Sequence, residues 1–309
     1  MPYISVVIPV YKAENCLLEL YKRLKNALEE ITTDFEIIFV EDCGGDNSWE
    51  IIKELINQDN RIRGIRFSRN FGQHYGITAG LDHCAGDWVV VMDCDLQEPP
   101  EDIPRLYEKA QEGYDIVVGR RINRQESVAK KLFSNAFYKL FNYLADTKID
   151  SAIANLRIMS REVVDSFNKM NEQLRNFDGM IKWLGFKTAY LDFVHAERYA
   201  GDSSYSFSKL FRLAFNCIVS FSDKPLKLSI KLGFFMFVSS ILYGSFLIYK
   251  RIAWGVAIEG WTSVMVSIYL IGGLVFLNLG ILGFYIGRIF DESRRRPLYI
   301  IKETKNIDN

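Results

Sequence analysis

The sequence predicts an α/β domain with a mostly parallel sheet and helices on both faces, followed by two C-terminal transmembrane helices. Three observations predict it. Short apolar runs alternate with helical patterns over the first 120 residues, the signature of strands joined by crossover helices. The fourth run, Val90-Val91-Met92, ends in Asp93-Cys94-Asp95-Leu96-Gln97, with carboxylates at alternate positions. Leu232–Tyr249 is 18 residues without a charge, and Thr262–Gly287 is also uncharged; a helix crossing a bilayer needs about 20 apolar residues.

Ile4–Pro9 is continuously apolar, as a strand buried on both faces requires. Glu14–Glu30 has helical spacing, with Leu17, Leu20, Leu24 and Leu28 on one side. Phe35–Val40 is the second strand and Asn47–Asn57 the second helix; Arg61–Phe67 and Gln73–Cys84 repeat the unit. Trp88–Met92 is the fourth strand. Pro99-Pro100-Glu101-Asp102 opens the next helix, where proline is tolerated and carboxylates suit the dipole. Asp115–Val118 is the fifth strand. Val128–Leu144 has a helical pattern, Ile158 marks a short strand and Val163–Met170 a helix. Tyr199–Tyr205 reads as a polar loop. Ser208–Ser222 reads either as an amphipathic helix lying on a membrane or as a buried helix of the soluble domain.

The expected organisation is a catalytic domain over 1–205, a juxtamembrane region over 206–228, a two-helix hairpin over 229–290 and a basic tail over 291–309. The plainer alternative for the hairpin is a pair of core helices, which two such long uncharged stretches exceed. Trp254 and Trp261 are placed as interface anchors. The connection between the spans carries the cations Lys250 and Arg251, whereas Arg288, Arg294, Arg295, Arg296, Lys302 and Lys305 follow the second. This bias puts the catalytic domain and both termini in the cytoplasm. The chain enters its first strand directly, so no cleavable signal is expected. Five cysteines without a CxxC pair read as reduced thiols. A formal net charge of zero gives no global field for nucleic acid.

Asp93 and Asp95, on one side of an extended strand, suit Mg²⁺ or Mn²⁺, and Gln97 continues the alternation as a third oxygen. A solvated acidic turn is the alternative. Glu41-Asp42 ends the second strand with carboxylates facing the same crevice, where they can accept hydrogen bonds from a base or ribose; such Asp-Gly loops are also ordinary turns. Arg69-Asn70-Phe71-Gly72 follows the third strand and offers a cation and an amide, or is a surface turn.

Ile8-Pro9-Val10-Tyr11, Val40-Glu41-Asp42, Arg69-Asn70-Phe71-Gly72 and Asp93 through Pro100, in that order, resemble the motif series of family 2 glycosyltransferases with the Rossmann-like GT-A fold. Within it the chain is most similar to the polyprenyl-phosphate group of dolichol-phosphate mannose synthase and the bactoprenol glucosyltransferases. Gly119-Arg120, Lys130 through Ser134, Leu156-Arg157, Arg198 through Tyr205 and Arg294–Tyr299 extend the match. The resemblance implies that Pro9, Tyr11, Glu41, Asp42, Arg69 and Asp93 contact the nucleotide, that Asp93, Asp95 and Gln97 hold the metal, and that Arg120, Lys130 and Ser134 receive the lipid phosphate. Arg198 would assist the departing diphosphate; His195, a lone histidine, is more often structural. Lys130 keeps a charge where arginine is frequent, Asn155 stands where many relatives have aspartate, and Ser204 where many have lysine.

The expected reaction moves a hexose, with UDP the first choice of carrier, onto a polyprenyl phosphate at the bacterial cytoplasmic membrane, with inversion at C1. The implied partners are a nucleotide sugar, the lipid and the membrane; a homo-oligomer is left open. A polysaccharide synthase usually carries Gln-x-x-Arg-Trp and more spans. A non-catalytic scaffold would not need Asp93, Asp95 and Gln97. A channel or flippase element would need polar groups within the spans.

Overall fold

The computed structural model describes residues 3–122, 153–194, 224–254 and 260–307. They fall into two compact units, one of residues 3–122, 153–194 and 296–307, the other of residues 224–254 and 260–295.

The first unit is built on one eight-stranded sheet, ordered β7-β5-β6-β4-β1-β2-β3-β8. The strands are β1 (Ile4–Val10), β2 (Phe35–Glu41), β3 (Ile62–Phe67), β4 (Trp88–Val91), β5 (Ile116–Ile122), β6 (Ile153–Ser160), β7 (Thr188–Val194) and β8 (Ile301–Lys305). β1 and β2 are buried along their whole length, as central strands covered on both faces must be. β3, β2, β1 and β4 run parallel, as expected. Two antiparallel strands interrupt the pattern: β6 lies between β4 and β5, and β8 closes the outer edge of β3. The second half thus departs from simple alternation, and the tail past the second apolar helix supplies an edge strand. Covering β3 removes an exposed row of unpaired backbone groups. Tyr299 stacks on Phe67 with ring centroids 5.3 Å apart and donates to Asp82 Oδ2 at 2.7 Å, while Trp49 Nε1 donates to Glu303 at 3.1 Å.

The helices of this unit are α1 (Leu17–Glu29), α2 (Ser48–Gln58), α3 (Gln73–His83), α4 (Ile103–Gln111), α5 (Arg161–Asn168) and α6 (Phe177–Leu184), with a 3₁₀ turn at Pro100–Asp102. α1 buries Leu17, Leu20, Leu24, Ala27 and Leu28, the predicted stripe. α3 packs unusually close to β1. A Cβ at Gly80 would collide with Val7 Cγ1 and lie 3.2 Å from Val7 Cβ and Cγ2, so only glycine permits this approach.

The second unit contains α7 (Lys224–Trp254) and α8 (Trp261–Ser293). Leu226–Leu247 and Val266–Ser293 are each long and apolar enough to cross a membrane, and neither is buried by protein. Helices apolar all round, with every interior backbone group bonded within the helix, suit hydrocarbon as solvent. The expected helices over 128–144 and 208–222 and the loop over 199–205 lie outside the described residues.

Candidate active site

The register aligns the carboxyl ends of three strands. Pro9 pairs with Val40 and Val10 with Glu41; Val7 pairs with Val91, and the Met92 N–H donates to Val7 O. Tyr11, Asp42 and Asp93 therefore leave the sheet along one edge, where ligands bind in open α/β folds. Pro9 is buried at the end of β1, and Tyr11 is exposed beyond it.

Asp93 and Asp95 are not on an extended strand. β4 ends at Val91, and Asp93–Gln97 forms a turn in which Leu96 adopts φ 59° and buries its side chain in the core. The anticipated strand alternation through Gln97 is thus replaced by a bend that Leu96 anchors. The Gln97 N–H donates to Asp95 Oδ1 at 3.2 Å, so residues 95 and 97 meet through that turn.

Two distant elements reach Asp93. Gln73, the first residue of α3, donates from Nε2 to Asp93 Oδ1 at 2.6 Å; Asn155, on β6, donates from Nδ2 to Asp93 Oδ2 at 2.7 Å. β6 is anchored beneath. The Asn155 N–H donates to buried Glu98 Oε1 at 2.8 Å, and Arg157 donates to the carbonyls of Asn155 and Ala154 and to Asp178. His74, one residue into α3, is half-buried, and its Nδ1 is buried with no hydrogen-bond partner among the described residues; desolvation lowers its pKa, which keeps the ring neutral at pH 7.

Glu41 and Asp42 do different work. Glu41 is buried, accepting from the Gly44 N–H at 2.6 Å and from Arg66 Nε at 3.1 Å, so it braces the loop after β2. Asp42 accepts from the Phe71 N–H at 2.6 Å and the Gly72 N–H at 2.8 Å, and its carbonyl accepts from Asn70 Nδ2. Asp42 therefore clamps the Arg69–Gly72 loop; burial raises its pKa, against the pull of those two N–H groups. Arg69 stays exposed, its guanidinium 4.1 Å from the Phe71 ring. The loop after β1 is laced to the loop after β2: Ala13 N–H donates to Ser48 Oγ, Glu14 N–H to Asp46, and Asn47 N–H to Glu14.

Arg120 lies near the end of β5, opposite Ile153 of β6 and so on the edge that carries Asn155. It forms a bidentate pair with Asp192 of β7, at 2.6 and 3.1 Å, and the pair lowers the Asp192 pKa. Lys130, Ser134, His195 and Arg198 lie outside the described residues. Sequence reasoning passed over Gln73, Glu98 and Asp192. Gln73 was open to detection, because it directly follows the Arg69–Gly72 segment at a helix start.

The donor set fits a hard divalent cation. Asp95, Asp93 and Gln97 offer oxygens, the hard donors such an ion prefers. Among the described residues no group of three His, Cys, Asp or Glu forms a cage. Mg²⁺ or Mn²⁺ here would take waters and substrate phosphate for the rest of its shell.

Comparison with known proteins agrees with this architecture. The model of glycosyl transferase family 2 matches residues 5–167. The chain is 39% identical over 306 residues to an uncharacterized glycosyltransferase, YkcC, of Bacillus subtilis, covering 99% of this chain and 95% of that one. It is 39% identical to the bactoprenol glucosyl transferase of Shigella phage SfV, covering 98% and 99% of the two chains. Among solved structures it is similar to glucosyl-3-phosphoglycerate synthase from Mycobacterium tuberculosis in complex with Mn²⁺, UDP and phosphoglyceric acid. That match has a TM-score of 0.50 and 16% identity, over 71% of this chain and 76% of that one, and it supports the GT-A fold.

Proposed function

The chain belongs to glycosyl transferase family 2 and is a glycosyltransferase; from that premise we propose that it moves a hexose from a UDP-sugar to the phosphate of a polyprenyl lipid, at the cytoplasmic face of a membrane and with inversion at C1. The observation that carries this reading is the Asp93 carboxylate. It sits at the ligand-binding edge of the sheet, gripped by Gln73 and Asn155, two residues from Asp95, in a chain that also holds two membrane-length apolar helices. The phage relative of similar length, named for bactoprenol, favours a lipid acceptor.

The residues divide the work. Asp42 fixes the loop that presents Arg69 to the nucleotide, and Tyr11 offers an exposed ring beside it. Asp93 faces the donor, while Asp95 and Gln97 supply oxygens to Mg²⁺ or Mn²⁺. When bound, that ion acts as a Lewis acid on the diphosphate. Arg198 adds a second positive charge where the leaving group gains electrons. Arg120, Lys130 and Ser134 receive the acceptor phosphate. An oxygen of that monoester bonds to C1 as the bond from C1 to the diphosphate breaks, and the electron pair leaves with the nucleotide. The attacking oxygen is anionic at pH 7, so no protein base is needed, and one displacement inverts the centre.

β8 supports the topology. Residues 4–10 and 301–305 share one sheet, which favours an even number of bilayer crossings between them. Together with the cations after α8, this favours both termini in the cytoplasm.

The test is to incubate full-length protein with labelled UDP-hexoses, Mn²⁺ and undecaprenyl phosphate. Label should move into the lipid extract and require the metal. Label in a long polymer would establish a polysaccharide synthase instead, and no transfer from any donor would leave a binding scaffold.

A further inference from the structure

Asp93 meets two neutral amides, one on each oxygen, from elements that are remote in sequence. Gln73 lies 20 residues before it and Asn155 lies 62 residues after it. We propose that Gln73 and Asn155 are positioning residues that together set the plane of the Asp93 carboxylate toward the sugar nucleotide. The inference rests on the reading above, in which Asp93 faces the donor.

A carboxylate has about four lone-pair directions. Two amide N–H groups at 2.6 and 2.7 Å occupy one direction on each oxygen. A lone aspartate rotates about χ2 over a broad range; held at both oxygens, Asp93 is locked. The grip is also electrically neutral. An arginine or lysine in either place would cancel the charge that a cation or a sugar hydroxyl must meet, whereas an amide orients it and leaves it whole.

Each amide is itself held. Asn155 is fixed through its backbone, whose N–H donates to Glu98 and whose carbonyl accepts from Arg157. With Nδ2 on the carboxylate, only the amide oxygen of Asn155 remains as an acceptor. Gln73 takes its position from the start of α3, which lies against β1 with only hydrogen at Gly80 between them. The carboxylate is therefore gripped by two different elements, β6 in the sheet and α3 on its face. That is how a rigid scaffold holds a group to within about 0.5 Å.

The experiment is a double-mutant cycle on the full-length protein. Gln73→Ala, Asn155→Ala and Asp93→Ala are made singly, and each amide variant is also combined with Asp93→Ala. Affinity for Mn²⁺·UDP-sugar is measured by calorimetry, donor kcat and KM by transfer, and integrity by thermal melting. Each amide variant should lose roughly tenfold in donor kcat/KM, as small misplacements of a reacting group do. In the Asp93→Ala background the same deletions should cost nothing further in donor affinity, because the group they act through is gone. Wild-type donor affinity and kinetics in Gln73→Ala and Asn155→Ala would overturn the inference. So would full additivity with Asp93→Ala, the result that a merely structural role gives. Failure of the wild-type protein to transfer sugar to lipid would overturn the reaction instead, and the binding cycle is read independently of the acceptor.

Discussion

Gly80→Ala is the sharpest test of how this fold holds its site. The new Cβ would overlap Val7 Cγ1 and stand 3.2 Å from Val7 Cβ and Cγ2, against about 3.5–4.0 Å for an ordinary carbon contact. Val7 is fully buried in a strand paired on both sides, so it cannot retreat; α3 must lift instead. Overpacking of this kind costs about 1–3 kcal/mol. For a domain of this size each kcal/mol lowers Tm by about 2–4 °C, so the melting point should fall by roughly 2–12 °C. Function should follow, because Gln73 sits seven residues earlier on the same helix and its 2.6 Å bond to Asp93 is lost once stretched beyond about 3.5 Å. Val7→Ala removes the obstructing methyl groups. The Gly80→Ala/Val7→Ala pair should therefore melt above the value expected from summing the two single losses, with a coupling of about 1 kcal/mol or more. Melting of the detergent-solubilised chain, paired with donor KM, measures this. A Gly80→Ala protein with wild-type Tm and KM would refute the reasoning, as would strict additivity in the pair.

Three further outcomes are expected. Asp95→Asn should cut transfer by roughly 10²–10³-fold, with an unchanged melting curve, because it removes charge beside the leaving diphosphate rather than packing; unaltered turnover would remove Asp95 from the metal site. Asp59 is held below the ordinary carboxylate range chiefly by Arg61, which donates to both its oxygens, and Tyr21 also donates to it. A depressed acid contributes stability above its unfolded pKa and loses it as pH falls through its folded-state pKa, so Asp59→Ala should lower Tm at pH 7 and the gap should begin to narrow below about pH 4 and keep narrowing as the pH falls further; a pH-independent gap would contradict this. Tyr299→Ala should cost about 1–3 kcal/mol by removing the half-buried ring stacked on Phe67 and the bond to Asp82. Melting of the full chain reads that loss, and wild-type stability would show that the tail does not brace the sheet.

The alternation of the first 120 residues, the apolar stripe of α1, the two long uncharged helices and the position of Asp93 and Asp95 were all legible in the sequence. Each is a local pattern, repeating every two to four residues or set by one strand's end, and burial enforces such patterns wherever the strand or helix ends up. The tertiary structure alone decided the rest. Leu96 bends the acidic segment off the strand. Asp42 spends both oxygens on the Arg69–Gly72 loop. Asp192 pairs with Arg120 across β5 and β7, and residues 301–305 return as an edge strand beyond two apolar helices. The grip on Asp93 belongs here too, since a helix start and a strand from far along the chain converge on one carboxylate. No local period encodes such meetings. A hydrogen bond between distant residues depends on sheet order, register and how closely a helix can approach a strand, and those follow from packing the whole domain at once.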